Sequence, residues 1–351
     1  MTDKKKSKAA DIATKAGVSM STVDRVLNDR GRVSTKSIKL VKNAQSELAK
    51  EEIISIKNIG SIEVILPEWA GNSTRYLAAF LQLEGKTKGV TVCINWVSKM
   101  DPRALSDALI EASQRNPRGI AFQALDHPLV HEAVSKLRSE GMLLTTIVSD
   151  LTGHGELSFI GIDNRAAGRT AALLMGNYCS GSVAVVWSGQ LSRAHEERES
   201  GFRALMRTEF PGIRVTDVSS GDDKPAENFR LIKKLLEDDE TITGIYGVGA
   251  GPTAIVDAIK AAKRKSPVKV IAHNLTHVTR EHLLSSEIDV IIHQDMHTIA
   301  KCAIERLLVG SVTGRRIVPT QIITRENILY HLDLRDIGEF LEQSVGNHNI
   351  P

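Results

Sequence analysis

The sequence predicts a small all-α headpiece followed by a two-lobed α/β domain built on mostly parallel sheets. Three observations carry this. Residues 8–27, KAADIATKAGVSMSTVDRVL, place two short amphipathic helices around a glycine turn. From Ser61 the chain alternates short apolar strands with helices of ten to fifteen residues almost to its end. That rhythm breaks once, between Gly153 and Gly161, and then begins again.

In the headpiece, Ala9, Ile12 and Ala13 give one apolar face of a first helix, which Gly17 ends. Ser19 caps a second helix with Val23, Val26 and Leu27 on its inner side. A third helix runs from Ser34 through Ile38, Val41 and Leu48. The expected core gathers Ile12, Val18, Val23, Val26, Ile38 and Val41. The outer side of the second helix then carries Met20, Ser21, Thr22, Arg25 and Asn28, with Arg32 just beyond. Hydroxyls suit base edges or phosphates, methionine suits a thymine methyl, and arginine suits guanine or phosphate. Charge agrees with a DNA-reading role. Residues 1–60 hold thirteen Lys and Arg against seven Asp and Glu, a local +6 in a chain of net +3.

A chain of 351 residues is too long for one compact core. The expected division is a headpiece over 1–48, a linker or atypical hinge over 49–60, a two-lobed domain over 61–330, and a tail over 331–351. The segment ELAKEEIISIK (47–57) extends the third helix or forms a semi-ordered linker. The first lobe is expected over about 61–160 plus 295–318, and the second over about 161–294 plus a closing segment 319–330. No apolar run is long enough to span a bilayer, and MTDKKKSKAAD has no apolar segment behind its lysines. Cys93, Cys179 and Cys302 are far apart in apolar surroundings, as free thiols of a cytoplasmic protein would be.

The first α/β series reads as strand 62–67, helix 75–85, strand 90–97, helix 102–114, strand 119–125, helix 127–141 and strand 143–149. The second has strands at 183–189, 213–219, 244–249, 268–274 and 289–295, with helices at 199–210, 226–238, 253–265, near 280–285, and 299–310. IVPTQIITREN (317–327) is a closing strand segment. Two such halves imply a cleft, because open parallel sheets bind ligands beyond the carboxyl ends of their strands.

DIATKAGVSMSTVDRVLNDRGRVS resembles the headpiece pattern AxxAGVSxxTVSRVLN of LacI-family transcriptional regulators. The resemblance extends over essentially the whole chain, since the remainder is similar to periplasmic sugar-binding proteins of the ribose-binding type. It implies a dimeric, cytoplasmic repressor bound to palindromic operator DNA, with a sugar, polyol or related effector in a periplasmic-binding-protein-like domain. Two departures stand out. Asp24 replaces the usual serine before Arg25, and no proline-containing hinge segment follows the third helix.

Effector candidates lie where strands end. Glu68, Trp69 and Asn72 follow the first strand, as polar and aromatic residues do in the sugar-binding proteins. Trp96 and Trp187 end later strands with a weaker claim. Asp150 lies close to where relatives place a ligand carboxylate, although their aspartate falls nearer Val148. Arg198 sits in HEERESGF, which resembles the family's RxxGF, and its planar fork suits a hydroxyl pair or carboxylate. Asn274 ends VIAHN where many relatives have aspartate, and Gln294 fits the amide of the ribose-binding group.

No catalytic arrangement competes with this. WSGQLSRAH lacks the GxSxG elbow, and His273 to His297 show neither HExxH nor a closed zinc set. YGVGAGPTA places Pro252 where a dinucleotide loop needs glycine, so neither metal nor cofactor is expected. The alternative to a regulator is a solute-binding protein or sensor that does not bind DNA.

Overall fold

The computed structural model describes residues 11–27, 31, 33–45, 60–68, 70–98, 101–155, 157–187, 192–219, 225–249, 251–310 and 313–330. It divides into two compact units, with the boundary between Gly60 and Ser61.

The first unit has helices α1 (11–16), α2 (Met20–Leu27) and α3 (35–45). Gly17 adopts φ 64°, the left-handed conformation that ends α1 cheaply only at glycine. Ser19 Oγ accepts from the Thr22 amide at 3.2 Å, and Ser34 Oγ from the Ser37 amide at 3.1 Å, so both following helices begin on serine caps. The core is narrow. Ile12, Ala13, Ala16, Val23, Val41 and Ala44 are buried in it, with Val18 and Val26 at its margin. Ile38 is only half-buried. Leu27, expected inside, is 45% exposed, because it closes α2 beyond a core filled mostly by small side chains.

The second unit opens with β1 (Ile62–Pro67), α4 (Asn72–Lys88), β2 (Val92–Val97), α5 (Pro102–Gln114), β3 (Gly119–Phe122), α6 (Pro128–Ser139), β4 (Leu144–Ile147) and β5 (Ser158–Gly161). It continues with α7 (Asn164–Tyr178), β6 (Ser182–Trp187), α8 (Arg193–Glu209), β7 (Arg214–Ser219), α9 (Pro225–Asp238), β8 (Ile242–Gly247), α10 (Pro252–Ala262), β9 (Lys269–His273), α11 (His277–Leu284) and β10 (Val290–His293). Last come α12 (Met296–Val309), β11 (Arg315–Ile317) and β12 (Gln321–Ile323).

Two six-stranded sheets result, ordered β11-β5-β4-β3-β1-β2 and β12-β10-β9-β8-β6-β7. Both are parallel except for β12, which runs antiparallel to β10. Helix α12 packs on α4 and on the first sheet, so the chain crosses between lobes after β5, after β10 and between β11 and β12. The closing segment is thus two short strands in different sheets. Pro319 lies between them, where a residue without an N–H interrupts pairing at little cost.

Strand periodicity builds the cores. In the second sheet Ala184, Ile245 and Val270 face one helix layer, while Val183, Val185, Tyr246 and Ile271 face the other. Helix α8 begins six residues before the expected 199, at Arg193. Its first turns hold no apolar stripe, but Arg193 pairs with Glu197 at 2.8 Å and Arg203 pairs with Glu199, one helical turn apart.

Candidate functional site

In the headpiece unit, Met20, Ser21 and Arg25 lie exposed on α2, and Asp24 lies exposed beside them. Positions 20 and 24, and 21 and 25, form two adjacent rows of one helix face. Thr22 is half-buried, and its hydroxyl lies 2.9 Å from Ser19 Oγ, as does that of Ser21. Asn28 and Arg32 lie outside the described residues.

In the second unit, a cavity lies between the lobes at the carboxyl ends of both sheets. It encloses about 910 Å³ when its open mouth is included. The first lobe contributes Ser73, Thr74 and Leu77 of α4, Gln123 after β3, and Val148 after β4. The second contributes His195 and Arg198 of α8, Gly249 after β8, Asn274 after β9, and Gln294 after β10.

Arg198 is held by a close helix crossing. A Cβ on Gly168 of α7 would lie 1.9 Å from the Arg198 carbonyl oxygen, and a Cβ on Gly201 of α8 would lie 2.2 Å from that of Arg165. Only two glycines let these backbones approach so closely. The crossing sets Arg198 Nε 2.8 Å from Asn164 Oδ1 and Nη1 3.0 Å from the Val248 carbonyl. Both acceptors are uncharged. Burial pulls the guanidinium down to about 10, so it stays protonated at neutral pH. Asn164 also sends its amide towards the Val148 carbonyl of the first lobe, at a long 3.5 Å.

Phe202, one turn on from Arg198, stacks on Tyr246 with centroids 4.7 Å apart. Burial raises the Tyr246 phenol well above its usual value, and the hydroxyl lies in hydrogen-bond contact with His273 Nε2 at 2.8 Å. Burial, with Arg198 and His195 nearby, pushes His273 well below its ordinary value and keeps the ring neutral.

Asn274 and Gln294 leave buried acceptors open: Asn274 Oδ1 and Gln294 Oε1 have no partner among the described residues. The Asn274 amide nitrogen reaches across the cleft to Ser73 Oγ at 3.3 Å. Nearby, the His277 N–H donates to Tyr76 Oη at 3.2 Å, and that hydroxyl lies 2.9 Å from His277 Nδ1. The two lobes therefore touch through α4 on one side and Asn274 and the first residue of α11 on the other.

Among the sequence candidates, Arg198, Asn274 and Gln294 line the cavity together. Glu68 is exposed and Asn72 is half-buried as the first residue of α4, and neither lines it. Trp69 lies outside the described residues, as does the Trp187 side chain. Asp150 is corrected to a structural place. Its carboxylate accepts from Thr146 Oγ1 at 2.8 Å and from the Leu151 amide at 2.9 Å, and it pairs with Arg315 of β11. The reason lies in Val148, whose φ of 67° turns the chain directly after β4 and gives Val148 the cavity position. Gly249 makes room for protein rather than solute, since a Cβ there would meet His195 Nε2 at 2.3 Å. Ser73, one position beyond the candidate Asn72, and Gln123, inside the strand expected over 119–125, are cavity residues that the sequence did not single out. Ser73 follows Asn72, because α4 starts earlier than its apolar face, and Gln123 directly follows the four residues of β3. His293 ends β10 and does not share a helix with His297.

Comparison with known proteins agrees with this architecture. Residues 62–309 match the periplasmic binding protein domain family, and residues 9–49 match the bacterial regulatory proteins of the lacI family. The HTH-type transcriptional regulator DegA of Bacillus subtilis is 24% identical over 213 residues. That match spans 59% of this chain and 62% of the relative's length. Among solved structures, a sugar-binding protein of a Bacillus halodurans sugar ABC transporter superposes with a TM-score of 0.67 at 22% identity. It covers 78% of this chain and 100% of that one. A Burkholderia graminis solute-binding protein in complex with D-arabinose gives 0.70 at 22% identity, over 77% and 97% of the two chains. A putative LacI transcriptional regulator from Bacteroides fragilis gives 0.70 at 17%, over 78% and 99%. At these identities the likeness shows the fold. The chain belongs to the periplasmic-binding-protein domain family and carries, ahead of that domain, a DNA-binding domain of the bacterial lacI family.

Proposed function

We propose that this protein is a transcriptional repressor whose operator affinity is controlled by a small sugar-like, polyol or related effector bound between the two lobes. The observation that carries this reading is the set of unfilled polar atoms in the interlobe cavity of a chain that also has a lacI-type headpiece. Buried amide oxygens without donors cost free energy, and a ligand hydroxyl removes that cost.

Two headpieces of a homodimer contact the half-sites of a palindromic operator, with Met20, Ser21, Thr22 and Arg25 nearest the bases. A headpiece of this size buries too little surface alone for tight specific binding, so the α/β domain supplies the dimer contact. Effector binding favours one arrangement of the lobes and through it one arrangement of the headpieces. A hundredfold change in operator affinity requires about 2.7 kcal/mol of coupling.

The test is operator binding by the full-length dimer, measured by fluorescence anisotropy with and without a ligand found by thermal shift. Arg25→Ala is expected to weaken operator binding by roughly tenfold or more and to leave ligand affinity unchanged. Unaltered DNA affinity in that variant would remove α2 as the reading helix.

A further inference from the structure

The cavity walls are chemically unequal. The first lobe lines it largely with apolar side chains: Leu77, Val97, Leu105, Leu125, Val148 and Met296. Its polar lining is Ser73, Thr74, Ser98 and Gln123, of which Thr74 Oγ1 lies 3.5 Å from the Ala70 carbonyl and Ser73 Oγ meets Asn274. The second lobe brings the buried Arg198 and Gln294, 2% and 1% exposed, and the half-buried Asn274.

The inequality is clearest at one equivalent pair. Val148 and Asn274 are each the first residue after a central strand, and both have φ 67°. Each donates its N–H to a neighbouring strand's carbonyl at 3.0 Å, Val148 to Ile160 and Asn274 to Ile292. The same backbone device thus presents an isopropyl group from one lobe and an amide from the other.

Charge is unequal too. Among the described residues, Arg198 is a buried cation bonded only to an amide oxygen and a carbonyl, through Nε and Nη1. Its neighbour Glu197 acts on it only through space, since that carboxylate pairs with Arg193. Among the described residues, no carboxylate lines the cavity. A cation in a low-dielectric site is stabilised by a counter-anion, and none of these residues provides one.

We infer that the effector is a small hydroxy carboxylic acid with one unhydroxylated, apolar half. This deepens the proposed function and rests on its reading of the cleft as the effector site. The ligand carboxylate faces Arg198 Nη2 and the Gln294 amide nitrogen. Its hydroxyl protons go to Asn274 Oδ1 and Gln294 Oε1, the acceptors that lack donors. Its carbon skeleton rests on Leu77, Leu125 and Val148. A fully hydroxylated neutral sugar would leave Arg198 without a counter-charge and strand hydroxyls against the apolar wall.

The experiment is calorimetric titration of the full-length protein with a matched panel. It comprises 2,4-dihydroxy-3,3-dimethylbutanoate and its uncharged lactone, 2-hydroxy-4-methylpentanoate, D-gluconate, D-arabinose and D-glucose. At least one branched hydroxy acid is expected to bind about tenfold or more tightly than the lactone, the gluconate and both sugars, a gap of ~1.4 kcal/mol. Arg198→Lys is expected to retain that preference, and Arg198→Met to lose it, each checked for a native melting transition.

Tightest binding by a neutral sugar, equal binding of acid and lactone, or preference for gluconate overturns the inference. If a neutral sugar both binds and changes operator affinity, the effector reading survives without it. An acid that binds and leaves operator affinity unchanged supports the inference and sinks the regulatory reading. No binding by any compound overturns the hydroxy-acid inference and removes the support for a sugar-like effector.

Discussion

Gly168 and Arg198 are in backbone contact across two helices: a Cβ on Gly168 would stand 1.9 Å from the Arg198 carbonyl oxygen. The cavity's only described arginine therefore owes its place to a missing side chain on the neighbouring helix. Gly201 repeats the arrangement in the opposite direction, against Arg165.

Gly168→Ala is accordingly expected to push α7 and α8 apart. Backbone cannot yield as a flexible side chain does, so the cost is about 1–3 kcal/mol or more. Ligand affinity falls as well, because Arg198 Nε loses its register with Asn164. Urea unfolding and calorimetry of the same variant check both, and an unchanged ligand affinity would show that the crossing does not position Arg198.

Asp150→Ala separates the structural place of Asp150 from a binding one. The variant leaves the Thr146 hydroxyl, the Leu151 amide and Arg315 without their acceptor. The expected loss is about 1–3 kcal/mol of stability, with ligand affinity unchanged within about twofold. A large loss of affinity in a folded variant would return Asp150 to the site.

His273 makes stability depend on pH. Burial, with Arg198 and His195 nearby, holds it well below 6.5, so the unfolded chain binds the proton more readily. Its contribution is complete above about pH 6.5 and falls as pH drops below that value, by up to about 1.4 kcal/mol per unit. Urea unfolding between pH 7.5 and 5.5 measures the slope. His273→Gln is expected to flatten it, and equal slopes in both proteins would assign the dependence to other groups.

Val148→Asn tests the strained wall of the first lobe. A β-branched residue at φ 67° is disfavoured, whereas asparagine tolerates the left-handed region. The variant is expected to be more stable by about 1 kcal/mol. It is also expected to bind D-gluconate more tightly, since the apolar wall gains an amide. Lower stability on chemical unfolding would show that Val148 packing outweighs its backbone strain.

The sequence by itself determined what depends on neighbours in the chain. Period-two and helical patterns located the main strands and helices, and serine caps and Gly17 bounded the headpiece helices. The likeness of HEERESGF to the family's RxxGF singled out Arg198 as a cavity residue. Asn274 and Gln294 are legible as polar residues closing apolar strands. Tertiary structure decided what depends on the direction of a loop. Whether Val148 or Asp150 meets the cavity is set by one backbone torsion and by Arg315, which is far away in sequence. Which buried acceptors remain open depends on partners gathered from both lobes, and strand-end spacing carries no record of them.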